Sequence, residues 1–280
     1  MLWIADGGGG RCCARGAPLR WCCCGRNVAD PHKREPAMAK KSTKQKSAKV
    51  TRGKSKTIAR GEMIKRYGRL YSGPIYDVLE PMGLPNQVLS HEIKPLQRGY
   101  KLTGPALTQQ GVDTVPGVVP EPKNHFDNMR KACTRGCVAV YAVGREGLSG
   151  HWGELTSTIA MANGCQGAVI DGGARDSDLQ EKMGFKMYCR FTSPIEAGSR
   201  MTIMQLQEPI FMPGSLTTHV RVNPGDWVFA DGDGVTIIPK EIASEVLVKA
   251  EELVNREAKG REMFAAGVDP TKVVKMFDVG

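Results

Sequence analysis

The chain has 280 residues, room for one large domain or two small ones, and carries 39 Lys+Arg against 29 Asp+Glu. Residues 1–60 hold 15 of those basic and 3 of those acidic side chains, so residues 61–280 hold 24 and 26 and are close to neutral. A near-neutral body excludes nucleic acid as its default partner, because phosphate binding needs a clustered basic face.

Weak nucleic-acid binding is expected only of the N-terminal arm. Residues 1–57 read as a disordered basic extension, poor in apolar side chains from residue 38 onward. Met38, opening Met-Ala-Lys-Lys, reads as a start, with residues 1–37 as upstream sequence that need not be native. No stretch approaches the roughly 20 apolar residues of a membrane span. No long apolar run marks a secretory signal either, and the expected location is the cytoplasm.

From residue 58 to 280 one α/β domain is expected. Tyr67 to Leu79 reads as a helix broken or restarted at Pro74. Residues 98–107 and 138–143 read as strands, the second (Val-Ala-Val-Tyr-Ala-Val) apolar throughout, as a strand buried on both faces should be. Leu155 to Asn163 reads as a short helix stopped by Gly164, and Ala168–Ile170 as the next strand. Trp227–Ala230 and Val235–Ile238 form a hairpin around Asp231-Gly-Asp-Gly234, whose spacing suits a turn rather than a calcium loop. A long helix from about Glu241 to Ala266 ends at Gly267.

Five of nine cysteines crowd into the first 24 residues, and Cys133, Cys137, Cys165 and Cys189 are scattered through the body. Cys133 and Cys137 could share a helix face, but two thiols do not close a metal site, so reduced structural cysteines are expected.

The stretch that carries chemistry runs from Gly144 to Asp176: strand, loop, helix, strand, loop. If its two strands are parallel, both loops leave the same edge of the sheet, where ligands bind in open α/β sheets. Gly153 precedes the helix that opens with Glu154-Leu155-Thr156; its first N–H groups have no intrahelical partner and suit a substrate carboxylate. Arg175 can clamp a carboxylate and stabilise an enolate oxygen, and Asp176 can hold a hydrated divalent cation. His151, in the first loop, is a further candidate for contacting substrate. A surface ion pair on a glycine-rich turn is the plain alternative for Arg175-Asp176. No G-x-S-x-G elbow or Walker loop is present.

Gly153-Glu-Leu-Thr-Ser-Thr-Ile-Ala160, followed by Asn163-Gly-Cys-Gln-Gly-Ala-Val-Ile-Asp-Gly-Gly-Ala-Arg-Asp176, closely resembles the signature of the RraA-like family. Gly104-Pro-Ala-Leu-Thr108 and Pro224-Gly-Asp-Trp-Val-Phe-Ala-Asp-Gly-Asp-Gly-Val235 resemble two more of its motifs, so the likeness runs from about Tyr67 to Gly267. That family unites metal-dependent 4-hydroxy-4-methyl-2-oxoglutarate aldolases, which also decarboxylate oxaloacetate, with ribonuclease regulators. The resemblance implies a single β/β/α swivelling-domain-like core with a C-terminal helix, assembled as a trimer or hexamer with sites between subunits. It implies a small 2-oxo acid as substrate, bound by Gly153, Glu154, Leu155, Thr156 and Arg175. Asp176 would hold Mg2+ or Mn2+, and Arg175, Glu154 and Glu257 would act in catalysis. The family often has a second Leu where Thr156 stands.

Glu257 lies on the apolar stripe Val246, Ala250, Leu253 of the last helix, where a carboxylate is costly unless paired or used. An i,i+4 pair with Arg261 is the bland explanation. Glu257-Ala-Lys-Gly-Arg261-Glu-Met-Phe264 also resembles the family's terminal pattern, in which a neighbouring subunit's Glu works on water in the site. The expected activity is therefore cleavage of C–C bonds in 2-oxo dicarboxylic acids by way of a pyruvate enolate. A non-catalytic ribonuclease-regulator-like binding protein is the alternative.

Overall fold

The computed structural model describes residues 58–114, 125–144 and 147–277, so the expected basic extension and the start at Met38 lie outside the described residues. In chain order the elements are α1 (Arg60–Tyr67), α2 (Ser72–Leu79), β1 (Lys94–Pro95), β2 (Leu102–Asp113), α3 (His125–Ala132), β3 (Val138–Ala142), β4 (Gly150–Trp152) and α4 (Glu154–Ala162). Then come β5 (Gly167–Ile170), β6 (Gly173–Ala174), α5 (Ser177–Lys182), β7 (Lys186–Cys189), β8 (Phe191–Thr192) and β9 (Met201–Leu206). The chain closes with β10 (Ile210–Pro213), β11 (His219–Val222), β12 (Trp227–Ala230), β13 (Val235–Ile238), α6 (Ala243–Ala265) and α7 (Pro270–Phe277).

The strand β2 organises the main sheet, which runs β1-β7-β5-β3-β2-β12-β13. Its first half pairs antiparallel with β12, and its second half pairs antiparallel with β9, across a register shift between Gln110 and Gly111. Parallel to β2 run β3, β5 and β7. Two different partners along one edge of β2 curl the sheet into a half-barrel. Every residue of β3 and β5 is buried, because helices cover one face and strands the other, which explains their unbroken apolar runs.

Three apolar clusters fill the molecule. One face of the sheet, with Leu102, Val138, Val140 and Val169, packs on the hairpin of β10 and β11 through Ile210, Met212, Val220 and Val222. The opposite face, with Leu107, Ala139, Tyr141 and Ile170, packs on Met129 of α3 and Ala160 of α4. The third cluster joins α1, α2 and α6 to β12 and β13, with Tyr67 stacked on Trp227 at 5.4 Å between ring centroids. A strand layer, the curled sheet and a helical layer make the β/β/α architecture expected, with the long C-terminal helix α6 followed by a second, shorter one, α7.

Of the stretch expected as a helix, Tyr67 ends α1, Gly68–Tyr71 form a turn, and α2 starts at Ser72, two residues before Pro74. Pro74 sits in the first turn of α2, where a missing N–H forfeits no intrahelical bond. The start of α2 has no local cap; instead Asp231, in the β12–β13 turn, accepts from the Ser72 N–H at 2.9 Å and from its hydroxyl. The same carboxylate accepts from the Asp233 N–H at 3.0 Å, so one buried residue closes the turn and caps a helix far away in sequence. Strand β2 also runs to Asp113, beyond the expected end at 107. Asp231→Ala leaves both amides without that acceptor and should cost about 2 kcal/mol of stability, read by chemical denaturation. An unchanged unfolding midpoint would contradict this capping role.

Candidate active site

Parallel pairing of β3 with β5 makes the loops after them leave the same edge of the sheet. Those loops carry the very short strands β4 and β6, which pair in parallel with each other and with β8, the short strand after β7, to form a second small sheet. Strand β4 leads directly into α4 through Gly153, and β6 leads into Arg175 and Asp176. Pairing β4 with β6 therefore lays the Arg-Asp pair against the start of α4, and the Arg175 N–H bonds to the Trp152 carbonyl at 3.0 Å.

Asp176 Oδ2 accepts from the Glu154 N–H at 3.2 Å and lies 3.4 Å from Arg175 Nε. The carboxylate thus sits on the positive end of the α4 dipole, beside a guanidinium. A side chain at Gly153 would bring its first carbon within 2.8 Å of that oxygen, so glycine is what permits the approach. Asp176 adopts a left-handed backbone with φ of 57° and ψ of 36°, one of two non-glycine residues with positive φ among those described. Such a conformation persists only where its surroundings over-determine it.

Gln180, fully buried on α5, supplies that constraint. Its amide donates to the Arg175 carbonyl at 2.7 Å and to the Trp152 carbonyl at 3.1 Å, clamping β4 to β6 at the Arg-Asp step. On the other side, the Trp152 indole N–H donates to Ser157 Oγ at 2.9 Å, and that hydroxyl donates to the Gly153 carbonyl at 3.1 Å. The end of β4 and the first turn of α4 are thus fixed together. Sequence reasoning did not single out Gln180, Trp152 or Ser157; the only signal was Asp176-Ser-Asp178, a helix-start pattern ahead of α5.

The residues expected in the site fall into three groups. Gly153, Glu154, Leu155, Thr156, Arg175 and Asp176 come together at the start of α4. Thr156 is buried, Leu155 is exposed, and the Glu154 carboxylate accepts from Thr158 Oγ1 at 2.6 Å, turned along its own helix. Among the described residues the N–H groups of Leu155 and Thr156 have no acceptor within the protein, as expected of a first helical turn. His151 is buried, and its Nδ1 accepts from the Gly173 N–H at 3.1 Å, so it supports β6 from beneath. Glu257 stands apart, holding the Tyr71 hydroxyl and Arg261 Nη1 at 3.2 Å within its own chain. The i,i+4 pair with Arg261 is therefore real, and Tyr71 joins it.

Arg175 and Asp176 line an open cleft of about 360 Å3, together with Ser177, Asp178 and Thr192–Pro194. Arg190 pairs with Asp171 at 3.3 Å and Glu92 at 2.8 Å. Burial pushes the Asp171 carboxyl up from its ordinary range, and Arg190 opposes that shift. In the Arg175–Asp176–Glu154 contact, Oδ2 is used and Oδ1 has no hydrogen bond among the described residues. One hard oxygen donor beside a solvent-open cleft fits a divalent cation that keeps several waters, as Mg2+ or Mn2+ would.

A fold of this kind, with a Gly-Glu-Leu turn facing an Arg-Asp pair, defines the class to which the chain is now assigned. Residues 73–237 match the RraA-like family, described as Aldolase/RraA, and the chain belongs to that family. Among its relatives, a Halalkalibacterium halodurans protein, provisionally named a 4-hydroxy-4-methyl-2-oxoglutarate aldolase, is 30% identical over 191 residues, 68% of this chain and 83% of that protein. DlpA of Legionella pneumophila is 28% identical over 200 residues, 70% of this chain; the match spans 30% of the length of DlpA. The structure of Streptomyces coelicolor RraAS2, titled an unusual member of the RNase ES inhibitor RraA family, is 25% identical, with a TM-score of 0.63 over 72% of this chain and 98% of that one. The family thus holds aldolase-type and ribonuclease-inhibitor members alike. No helix of the described residues is long and apolar enough to cross a membrane.

Replacing Gln180 with Leu keeps the volume and removes both donors. Amide exchange at Glu154 and Arg175 should then accelerate by about tenfold or more, since the Arg175 carbonyl loses its donor and the Trp152 carbonyl keeps only the Arg175 N–H. Unaltered protection at those amides would show that the clamp lies elsewhere.

Proposed function

We propose that the chain is a divalent-metal-dependent lyase that cleaves C–C bonds of 2-oxo dicarboxylic acids, by retro-aldol reaction, β-decarboxylation or both. The observation that carries this reading is the Asp176 carboxylate held in a left-handed turn on the first amide of α4, with Arg175 beside it. Strain kept at one residue by a dedicated buried clamp is typical of working sites. The relative provisionally named as an aldolase supports the same reading.

In this proposal the N–H groups of Leu155 and Thr156 hold the carboxylate of the pyruvyl half at the positive end of α4. Asp176 holds Mg2+ or Mn2+, which when bound supplies Lewis-acid polarisation of the 2-oxo group. Arg175 presents its guanidinium to the oxygen on which enolate charge develops. As the C–C bond breaks, its electron pair passes to the pyruvyl half; in the retro-aldol reaction the hydroxyl proton passes through water to a carboxylate and the other half leaves as a carbonyl compound, and in β-decarboxylation the other half leaves as CO2. Protonation of the enolate at carbon then gives pyruvate. Glu154 is bound to Thr158 and shapes the turn through its backbone, so the acid-base carboxylate is assigned to Glu257 of the partner subunit in a trimer or hexamer.

One observation favours the second reading, a ribonuclease-regulator-like binding protein: within its own chain Glu257 is already engaged by Tyr71 and Arg261. Pyruvate release from oxaloacetate in the presence of Mg2+ separates the two. The lyase reading expects turnover that stops in excess EDTA and returns with Mg2+ or Mn2+. Arg175→Ala should lower kcat/KM by about 10²–10³-fold, the range for loss of an oxyanion donor. Turnover indifferent to EDTA, or no turnover of oxaloacetate or 4-hydroxy-4-methyl-2-oxoglutarate by the folded oligomer, would sink it.

A further inference from the structure

Three of the four body cysteines are not scattered. Cys133, Cys137 and Cys165 bring their sulfurs within 4.8 Å of one another, at the opposite end of α4 from the Arg-Asp pair. Cys133 follows the last turn of α3, its N–H bonded to the Met129 carbonyl at 2.9 Å; Cys137 precedes β3, and Cys165 lies between α4 and β5. The third thiol, 28 positions from Cys137, is what the spacing of the first two could not reveal.

The backbone around them is closely sewn. The turn from Cys133 to Cys137 closes through the Cys137 N–H to the Thr134 carbonyl at 2.9 Å, and Gly136 takes φ of 84°, a conformation other residues rarely adopt. The Gly136 N–H bonds the Gly164 carbonyl at 2.8 Å, and the Gln166 N–H bonds the Cys137 carbonyl at 2.8 Å. Two turns from distant parts of the chain are thereby locked face to face, each presenting sulfur to the other. Cys137 and Cys165 are buried, and Cys133 is half-buried, which leaves one side of the cluster open to entry.

We propose that Cys133, Cys137 and Cys165 form a thiolate site for a soft d10 metal ion, and that Cu(I) in three-coordinate geometry is its natural occupant. Softness selects the class of ion, since sulfur-only donors favour Cu(I) and Zn(II) over Mg2+ or Mn2+. The number of ligands selects within it. A structural Zn(II) is almost always held by four donors, and among the described residues no His, Asp, Glu or further Cys joins the three. Three sulfurs complete the shell of Cu(I).

Each thiol that ligates would release its proton to solvent. A bound ion would fasten the C-terminal end of α4 to the sheet, bracing the helix whose other end forms the candidate active site.

The test uses the full chain with its five N-terminal cysteines (Cys12, Cys13, Cys22, Cys23 and Cys24) changed to serine, since they would bind the same ion. Under anaerobic, reducing conditions, Cu(I) is titrated against the chromogenic chelator bathocuproine disulfonate. The proposal expects one equivalent retained and a first shell of three sulfurs by X-ray absorption. Cys133→Ser, Cys137→Ser and Cys165→Ser should each weaken retention more than about 100-fold, above the range for loss of an outer-shell partner. Cys189→Ser, in the core outside the triad, should leave it unchanged. If a buried-cysteine variant does not fold, Cys133→Ser and the absorption spectrum of the intact triad decide the matter. No retention by the folded protein, retention that survives Cys133→Ser, or uptake of Zn(II) in preference to Cu(I) would overturn the proposal.

Discussion

The contact between Asp176 and the first amide of α4 is the constraint around which this end of the molecule is arranged. It requires a left-handed backbone at an aspartate, a glycine at position 153, and two strands of two or three residues held in register. None of these is favourable alone: strands this short have almost no intrinsic stability. They persist because Gln180 bonds two carbonyls at once and because Trp152 and Ser157 tie the entry of α4 to its own preceding strand. Geometry at Arg175 is therefore set by a buried amide on a six-residue helix, not by the glycine-rich loop that carries the motif.

Helix α4 connects the two chemically interesting places. Its N-terminal turn faces Arg175 and Asp176, and just beyond its C-terminal end Cys165 meets Cys133 and Cys137. Hard oxygen donors and a solvent-open cleft lie at one end, soft sulfur in a nearly closed core at the other. Ions of different character would be sorted between them by donor softness alone.

Much of this fold was legible in the sequence where burial imposes a pattern. Val138–Val143 is apolar throughout because β3 lies between two layers, and the Asp-Gly-Asp-Gly turn announces the β12–β13 hairpin. Gly144–Asp176 read as strand, loop, helix, strand, loop, and the parallel pairing that the structure shows brings Arg175 to the start of α4. Legibility ends where tertiary context decides. Strands β6 and β8 have two residues each, too few for any period. Pro74 marked the new start of α2 to within two residues, but its cap, Asp231, stands 159 positions from Ser72. Gln180 and Cys165 look ordinary in sequence; only packing turns one into a clamp and the other into a third thiol.

Glu257 shows the same limit from the other side. Its place on an apolar stripe was visible, and the structure adds the Tyr71 hydroxyl to the Arg261 pair that the spacing suggested. The most direct test of the central claim is amide NMR of the Mg2+ protein, and of the same protein with paramagnetic Mn2+, in the presence of oxalate, a planar analogue of the pyruvate enolate. The account predicts that the Glu154, Leu155 and Thr156 amide signals shift with oxalate and broaden with Mn2+, and that Asp176→Asn removes the broadening. Signals at the start of α4 that ignore both ligands, while the protein remains folded and assembled, would contradict it.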